Sequence, residues 1–163
     1  RGISLIVSVS VDPDLVVFWP IERIQQVLCN LLQNAEDAVA DAMLAGKISK
    51  GEILFGVRIS TDLGGHPKIF FTVSDNGGGF EGPVERLFEQ GYTTKTYGVG
   101  IGLHNSALLA QSIGGRLRAT NGCLNGAKGA VFEFSVPLMV AEENDEHEPA
   151  QAQIASAKTE LTS

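Results

Sequence analysis

The chain contains little of what several kinds of site would require. Only two cysteines occur among its 163 residues, Cys29 and Cys123, and neither has a second metal-binding residue near it. Widely separated cysteines fit a reducing environment better than a metal centre or a disulfide framework. No apolar run approaches the roughly 20 residues that a membrane-spanning helix needs. The sequence therefore predicts a cytoplasmic segment without direct membrane contact, which leaves a membrane anchor elsewhere in the parent protein open.

Basic residues are also scarce. Twelve lysines and arginines stand against 19 aspartates and glutamates, which gives a formal net charge of -7 and argues against a nucleic-acid partner. Five of the acids lie close together near the end of the chain: Glu142, Glu143, Asp145, Glu146 and Glu148. The residues around them have no core-forming pattern. We therefore expect one folded domain over residues 1–140 and a disordered acidic tail over residues 141–163. Because the chain starts without a methionine, we expect it to be a piece of a longer protein.

Hydrophobic periodicity predicts the secondary structure. Apolar residues alternate over residues 3–11, which predicts a half-buried strand, and Leu15 to Phe18 are predicted to return antiparallel to it. An apolar stripe at steps of three and four then predicts a long helix from Ile21 to Met43. A hairpin is predicted over residues 52–74, and a short helical turn is predicted after Pro83. A second helix is predicted over residues 104–113, with Leu108 on its apolar face. Two further strands are predicted over residues 115–120 and 130–136, joined by a Gly-rich turn from Asn121 to Gly129.

A second face of the long helix carries short polar side chains in a row. Asn30, Asn34, Asp37 and Asp41 follow one another at i, i+4, i+7 and i+11, a spacing that stacks them on one side of a helix. Contact with solvent is enough to explain the two aspartates. Asparagine is a poor residue inside a helix because its amide competes with the backbone. Asn30 and Asn34 therefore indicate a specific task.

The predicted strand over residues 68–74 breaks abruptly into the sequence Asp75-Asn76-Gly77-Gly78-Gly79. Consecutive glycines let the backbone approach a flat or phosphorylated ligand closely. Asp75 would then be a hydrogen-bond acceptor at the floor of a pocket. A plain hairpin turn is the alternative, because Asp, Asn and Gly are common turn residues.

A second Gly-rich segment, Gly98-Val99-Gly100-Ile101-Gly102-Leu103, leads directly into a predicted helix. The unpaired N–H groups and the dipole at a helix N-terminus attract anions. Thr93, Thr94 and Lys95 lie just before the segment and add hydroxyl groups and a positive charge. The segment lacks the Gly-Lys-Ser/Thr ending of a P-loop, and it fits the dinucleotide fingerprint poorly because a polar loop precedes it.

The order of these motifs resembles the ATP-binding domain of sensor histidine kinases. An Asn-x-x-x-Asn helix, a strand ending in Asp-x-Gly-x-Gly, the sequence Leu87-Phe88-Glu89, and Gly-x-Gly-x-Gly-Leu before a helix follow one another within about residues 1–138. That domain belongs to the GHKL superfamily, with gyrase-type ATPases, a heat-shock chaperone and mismatch-repair ATPases. The resemblance implies an α+β fold, a two-layer sandwich of the Bergerat type. Its sheet would be mixed and mainly antiparallel, with about three helices on one face.

The resemblance also implies roles for single residues, with ATP and Mg²⁺ as the cofactors. Asn34 resembles the family's magnesium-ligand asparagine, and Asn30 resembles its partner one turn earlier. With Lys95, these two are the expected catalytic residues. Asp75 resembles the carboxylate that accepts a hydrogen bond from the adenine amino group. Room for the base is expected at Gly77 and Gly79, and further nucleotide contacts are expected at Asp37, Phe88, Thr93, Thr94, Lys95, Gly98, Val99, Gly100, Ile101, Gly102, Leu103 and Val131.

Two positions depart from the family's pattern. Relatives usually have Gly-x-Thr-Phe in the last strand, where this chain has Gly129-Ala130-Val131-Phe132. Val131 would then replace a threonine whose hydroxyl helps to hold adenine. Many relatives also have a basic residue three positions after the magnesium asparagine, where this chain has Asp37. A carboxylate there would repel phosphate, so we expect it to point away.

By this resemblance, the protein is a histidine kinase that passes the γ-phosphoryl group of Mg-ATP to a histidine on a separate helical dimerisation domain. The parent protein would be a homodimer, and the receiver domain of a response regulator would take the phosphoryl group next. The alternative is a GHKL-type ATPase or a nucleotide-gated interaction module without kinase activity. A serine kinase of the anti-sigma-factor type is a third possibility. Asn30 discriminates the kinase from the ATPase. Hydrolysing relatives have a glutamate at this position that activates water, and an amide cannot take the proton from that water.

Overall fold

The computed structural model describes residues 2–15, 17, 19–61, 64–93 and 100–138, and the predicted tail over residues 141–163 lies outside them. In chain order, the elements of this part are β1 (Ile3–Ser10), α1 (Ile21–Leu44), β2 (Gly51–Thr61), β3 (Pro67–Asp75), a short 3-10 helix (Val84–Phe88), α2 (Gly102–Ser112), β4 (Arg116–Leu124) and β5 (Ala127–Pro137). Among these helices, none has the length and apolar character needed to cross a membrane.

The strands form one sheet in the order β1-β2-β3-β5-β4. β1 runs parallel to β2, and the other neighbouring pairs are antiparallel. α1 packs on β2 and β3, and α2 packs on β4 and β5. The buried hydrophobic side chains of the sheet belong to the face beneath these helices and include Ile53, Ile69, Phe71, Val73, Phe132, Phe134 and Val136. The predicted two-layer fold with a mixed, mainly antiparallel sheet is therefore confirmed, and its helix layer contains two α-helices and the short 3-10 helix.

Helix α1 forms as predicted because its apolar residues recur at steps of three and four. The buried stripe consists of Ile24, Val27, Leu31, Ala35, Val39 and Ala42. Pro20 precedes the first turn, where a missing N–H costs nothing. At the other end Gly46 has a φ of 70°, and the Lys47 amide donates to the Ala42 carbonyl at 2.9 Å, which stops the helix with a Schellman-type turn.

Strand β1 is confirmed, but its predicted half-burial is wrong. Leu5, Val7 and Val9 lie in register with Ile53, Phe55 and Val57 of β2, so they share the helix-bearing face of the sheet. They are nevertheless 57%, 58% and 58% exposed. The reason is that β1 is an edge strand, and α1 lies mainly over β2 and β3. The alternating pattern predicts which residues share a face, but it does not predict whether another layer covers them.

Three smaller predictions need correction. Of the predicted strand from Leu15 to Phe18, Val17 makes a single bridge, Leu15 lies in no strand, and residues 16 and 18 are outside the described part. The Gly-rich turn predicted over residues 121–129 is a continuation of β4 and β5, which meet at the two-residue turn Asn125-Gly126. Both turn residues have positive φ, 49° and 83°, as a type I′ hairpin turn requires. In α2, Leu108 is 51% exposed and does not belong to the buried face.

The tightest backbone approach in the sheet gives a stability prediction. A Cβ atom at Gly129 would collide with the carbonyl oxygen of Asp75, whereas one at Gly56 would meet nothing closer than 3.8 Å. We expect Gly129→Ala to lower the free energy of unfolding by about 1–3 kcal/mol or more, the cost of overpacking. Gly56→Ala is the matched control and should be neutral or slightly stabilising, because alanine loses less backbone entropy in a strand. Urea denaturation of both variants measures the difference, and equal stabilities would contradict the packing argument.

Candidate functional site

Asp75 ends strand β3 and is 2% exposed. Its Oδ1 atom accepts hydrogen bonds from the backbone amides of Gly77 at 2.8 Å and Ala130 at 3.2 Å. Burial raises the pKa of the Asp75 carboxyl above its ordinary value, and the two hydrogen bonds offset this in part. Because both bonds fall on Oδ1, the second carboxylate oxygen is positioned as an acceptor for a further donor. This geometry is what recognition of an amino group requires.

The neighbouring Asn76 holds the end of β3 in place. Its Oδ1 accepts from the Glu52 amide at 2.9 Å, and its Nδ2 donates to the Lys50 carbonyl at 2.9 Å. The side chain thus bonds the backbone of β2 where β3 turns away, which satisfies buried polar groups. Glu52 is itself bonded by Lys50 at 2.6 Å and by Asn125 at 2.7 Å, and these contacts, Lys50 first, lower the pKa of the Glu52 carboxyl.

The two glycines expected to make room for a base have a packing role in the structure. A Cβ atom on Gly77 would come within 2.6 Å of the backbone of Ala38 in α1, and one on Gly79 would collide with Asn121 and Gly129. Asn121 also bonds both backbone groups of Phe80, at 2.9 Å each. The loop after Asp75 is therefore clamped between α1 and the β4–β5 hairpin.

Asn30 joins the two α-helices. Its Nδ2 donates to the hydroxyl of Ser106 in α2 at 2.8 Å, and Ser106 is 2% exposed. A Cβ atom on Gly102 would lie 2.6 Å from the Asn30 Oδ1, so a glycine is needed where α2 begins. The amide of Asn30 therefore fixes the N-terminus of α2. Ile101, which precedes this helix, gives it no side-chain cap, and uncapped N–H groups favour an anion at such a position.

Asn34 and Asp37 follow Asn30 along α1, and both are partly buried. The Asp37 Oδ1 accepts a hydrogen bond from Gln33 Nε2 at 3.0 Å. Gly77 meets α1 at Ala38, one turn beyond Asn34. The face of α1 with the asparagines is thus adjacent to the loop that follows Asp75. That Asn34 binds the metal and that Asp37 points away from phosphate both stay predictions.

The phosphate-side loop is described only at its two ends. Gly91 and Gly100 lie against each other, and the Gly91 amide donates to the Gly100 carbonyl at 2.9 Å, which closes the base of the loop. Thr93 is exposed. Four predicted site residues lie outside the described residues: Thr94, Lys95, Gly98 and Val99. Two further predicted residues lie at the start of α2: Ile101 is 44% exposed, and Leu103 packs against the core.

Phe88 packs against the core at the end of the short 3-10 helix. Its carbonyl oxygen lies 2.9 Å from Nδ1 of His104. Because a carbonyl oxygen can only accept, Nδ1 carries the proton in this contact. His104 therefore connects α2 to the segment that contains Phe88.

The structure corrects the prediction for Val131. In β5, Val131 lies in register with Ser74 and Thr120, whereas the amide of the preceding Ala130 reaches Asp75. Successive side chains on a strand point to opposite faces, so Val131 points away from the face that holds Asp75. Ala130, which is 7% exposed, is the residue whose side chain shares that face.

Sequence reasoning missed three side chains that shape the site. Ser106 bonds Asn30, Asn76 fixes the end of β3, and Asn121 clamps the loop at Phe80. No local pattern identifies them, since each acts on a residue 24 to 76 positions away. The sequence showed Asn76 only as part of a turn-like segment and gave no sign of its bonds to β2.

Together, a sheet with both helices on one face and a buried carboxylate beside Gly-rich loops define a nucleotide-binding domain of the two-layer class. Residues 20–140 match the family model described as histidine kinase-, DNA gyrase B- and HSP90-like ATPase. The chain therefore belongs to this family, and within it the chain is an ATP-binding catalytic domain of the sensor histidine kinase type.

Individual relatives agree with this assignment. The chain is 36% identical over 138 residues to the sensor protein FixL of Bradyrhizobium diazoefficiens, and the match covers 83% of this chain and 24% of FixL. Full-length ShkA in complex with AMPPNP is similar with a TM-score of 0.65 and 28% identity, covering 86% of this chain and 26% of ShkA. The nucleotide-free catalytic domain of histidine kinase ThkA is similar with a TM-score of 0.61 and 27% identity, covering 83% and 79%. The chain thus spans about a quarter of FixL and most of the ThkA catalytic domain.

Asp75→Asn separates ligand recognition from folding. The amide oxygen can keep both backbone hydrogen bonds, while Nδ2 would place a donor against the adenine amino group. We expect ATP affinity to fall by roughly 5- to 150-fold, the effect of about 1–3 kcal/mol from a mismatched buried polar group. Asp41→Asn, on the exposed side of α1, is the control and should bind normally. Isothermal titration calorimetry measures both, and unchanged affinity in Asp75→Asn would remove Asp75 from the site.

The same variant should not destabilise the nucleotide-free protein at neutral pH. The pKa of Asp75 is raised in the folded state, so ionisation favours the unfolded state as pH rises through that pKa. An amide removes this cost, and Asp75→Asn should equal or exceed the wild type in thermal midpoint at pH 7. The advantage should shrink toward pH 3.8, the ordinary pKa of an aspartate. A lower midpoint at pH 7 would show that the carboxylate charge is needed for folding.

The position of Ala130 predicts how nucleotide affinity can be increased. Ala130→Thr would place a hydroxyl on the face of Asp75, and one added hydrogen bond of about 0.5–1.5 kcal/mol corresponds to roughly 2- to 13-fold tighter ATP binding. Val131→Thr adds the same group on the opposite face and is the matched control, with affinity unchanged. The reverse pattern in calorimetry would restore Val131 to the site.

Proposed function

We propose that this chain positions Mg-ATP so that its γ-phosphoryl group is transferred to a histidine on a separate helical domain of the same, homodimeric parent protein. A receiver domain of a response regulator would accept the phosphoryl group next. The observation that carries the proposal is the pairing of Asn30 with Ser106, considered together with the family assignment. This proposal includes a cytoplasmic location for the domain.

Asp75 supports adenine recognition. Its buried carboxylate would accept a hydrogen bond from the amino group of adenine, whereas guanine has a carbonyl at the same place. Two acceptors facing each other leave a buried polar group unsatisfied, which costs about 1–3 kcal/mol. GTP should therefore bind more weakly than ATP. The clamped loop after Asp75 would hold this acceptor in position before the nucleotide arrives.

Asn34 fits the requirements of a magnesium ligand. Mg²⁺ prefers oxygen ligands, keeps several waters and is usually held by few protein groups together with phosphates. One amide oxygen at Asn34 matches that donor set. The metal would neutralise phosphate charge, which together with positioning is the main contribution to phosphoryl transfer. The uncapped N-terminus of α2 lies on the same side, next to Asn30, and would take part of the phosphate charge.

Asn30 favours phosphoryl transfer over hydrolysis. An amide cannot accept a proton from water, and the Nδ2 group of Asn30 already bonds Ser106 at 2.8 Å. Asp37 is the nearest carboxylate on the same face of α1, and Gln33 engages it at 3.0 Å. These contacts weigh against the alternative, a GHKL-type ATPase that acts without a phosphoacceptor.

The histidines of the chain weigh against self-phosphorylation. His66 lies in the turn between β2 and β3, about 30 Å from Asp75 by the rise of nine strand residues. His104 bonds the Phe88 carbonyl at 2.9 Å and is fixed on α2. The third, His147, lies outside the described residues. A phosphoacceptor histidine from another domain is therefore the simplest arrangement.

The proposal is tested by phosphoryl transfer with labelled ATP and Mg²⁺. The isolated chain should stay unlabelled, and the helical dimerisation domain of the parent protein should acquire acid-labile phosphate when it is added. Asn34→Ala should abolish transfer and weaken ATP binding in Mg²⁺ far more than in EDTA, because only metal-assisted binding uses the amide oxygen.

One control variant and two opposing outcomes make the result decisive. Asp41→Asn, on the exposed side of α1, should transfer normally. Steady ATP hydrolysis by the isolated chain, without any partner, would favour the ATPase instead. Acid-labile label on His104 would show that the chain supplies its own acceptor, against the proposal.

A further inference from the structure

The face of the sheet that carries no helix has a cluster of positive charge. The strand registers place Arg58 of β2, Lys68 of β3, and Arg116 and Arg118 of β4 on this face. Arg58, Arg116 and Arg118 are exposed. We call these four residues the basic patch. They are a third of the 12 lysines and arginines of the chain, so a protein with few cations concentrates them here.

One carboxylate, Glu133 of β5, lies within the basic patch. It accepts from Arg58 at 2.9 Å and lies directly opposite Arg118 in the sheet. Arg58 also stacks on the ring of Phe70, 4.0 Å from its centre, which holds its guanidinium flat against the sheet. Among the described residues of the basic patch, the three exposed arginines outnumber the one carboxylate, Glu133.

The basic patch borders an open groove. The groove has a volume of about 450 Å³ and is lined by Lys68, Phe70, Arg116, Arg118 and Glu133, among others. Phe70 adds an aromatic ring to this lining. A groove with cationic walls suits an extended peptide that carries several carboxylates.

The chain leaves the sheet beside this patch. Pro137, the last residue of β5, lies in register with Lys68, and the Leu138 amide donates to the Pro67 carbonyl at 2.9 Å. Four residues further on, Glu142 begins the acidic stretch Glu142–Glu148, which contains five carboxylates. Four extended residues span up to about 14 Å, whereas Arg116 is only about 8 Å from Pro137 by strand spacing and rise.

We propose that the acidic stretch binds the basic patch of its own chain. Five negative charges meet a surface on which exposed arginines outnumber the described carboxylate, and the short connection gives the stretch an effective concentration in the millimolar range. This contact lies on the opposite face of the sheet from Asp75, so it leaves the candidate nucleotide site open.

Paramagnetic relaxation in the full chain tests the contact. The exposed cysteines are removed as Cys29→Ser and Cys123→Ser, and a nitroxide is attached through Ala150→Cys, just beyond the acidic stretch. At low salt, the amide signals of Lys68, Arg116 and Arg118 should lose intensity relative to the reduced label, while signals on α1 should not. The loss should disappear near 1 M salt, where the screening length falls to about 3 Å.

Matched variants identify the cause. Arg116→Ser with Arg118→Ser should restore the signal of Lys68, whereas Arg23→Ser with Lys47→Ser removes two charges from other surfaces and should leave the loss unchanged. Isotope-labelled chains mixed with nitroxide-bearing unlabelled chains should show no loss. Equal loss in that mixture would mean that the contact forms between two copies. If no signal is lost at low salt, the basic patch would instead fit an acidic partner from another protein. Contact between two copies or absence of signal loss would each overturn the proposal.

Discussion

The candidate site depends on the close approach of β5 to the end of β3. Gly129 lies directly against the Asp75 carbonyl because it has no side chain, and the next amide, that of Ala130, bonds the Asp75 carboxylate at 3.2 Å. The backbone contact that sets the spacing of the two strands therefore also orients the acceptor oxygen. The atoms that pack the two strands also position the candidate acceptor, so a change that separates the strands would also misplace the carboxylate.

Polar side chains make this arrangement rigid before any ligand is present. Asn76 bonds β2, Asn121 bonds the loop at Phe80, and Asn30 bonds Ser106 of α2. Each bond joins two different elements that border the site. A binding surface that is already fixed loses less conformational entropy when it binds. The three amides thus hold the elements around the candidate site in place.

Much of the fold followed from local patterns. The period of the apolar residues predicted α1 and the β2–β3 hairpin, because that period reflects one buried face. Exposure of Leu5 and Val7 on β1 could not be predicted, since it depends on where α1 lies in the third dimension. The Asn125-Gly126 turn was present as a local pattern and was nevertheless included in a longer loop.

Part of the candidate site was predictable from residue types. Asp75 and the asparagines of α1 stand out because their residue types are unusual in those positions. The packing role of Gly77 and Gly79 was not predictable from the sequence, because the atoms beside them belong to α1 and to the β4–β5 hairpin. That they make room for a base stays a prediction. Val131 was placed in the site by its position in the motif, and a motif does not show that a shift of one residue along a strand reverses the side-chain direction.

The distance in sequence between Asp75 and Ala130 has a consequence for folding. The β4–β5 hairpin closes over a two-residue turn, whereas the hydrogen bond between these residues closes a separation of 55 positions. Short hairpins form in about 1–10 μs, and contacts between distant residues must wait for the larger loss of chain entropy. The surroundings of the Asp75 carboxylate are thus assembled late, when the two hairpins join. A nascent or partly unfolded chain would have strands and helices but no competent pocket, so nucleotide binding reports on completion of the sheet.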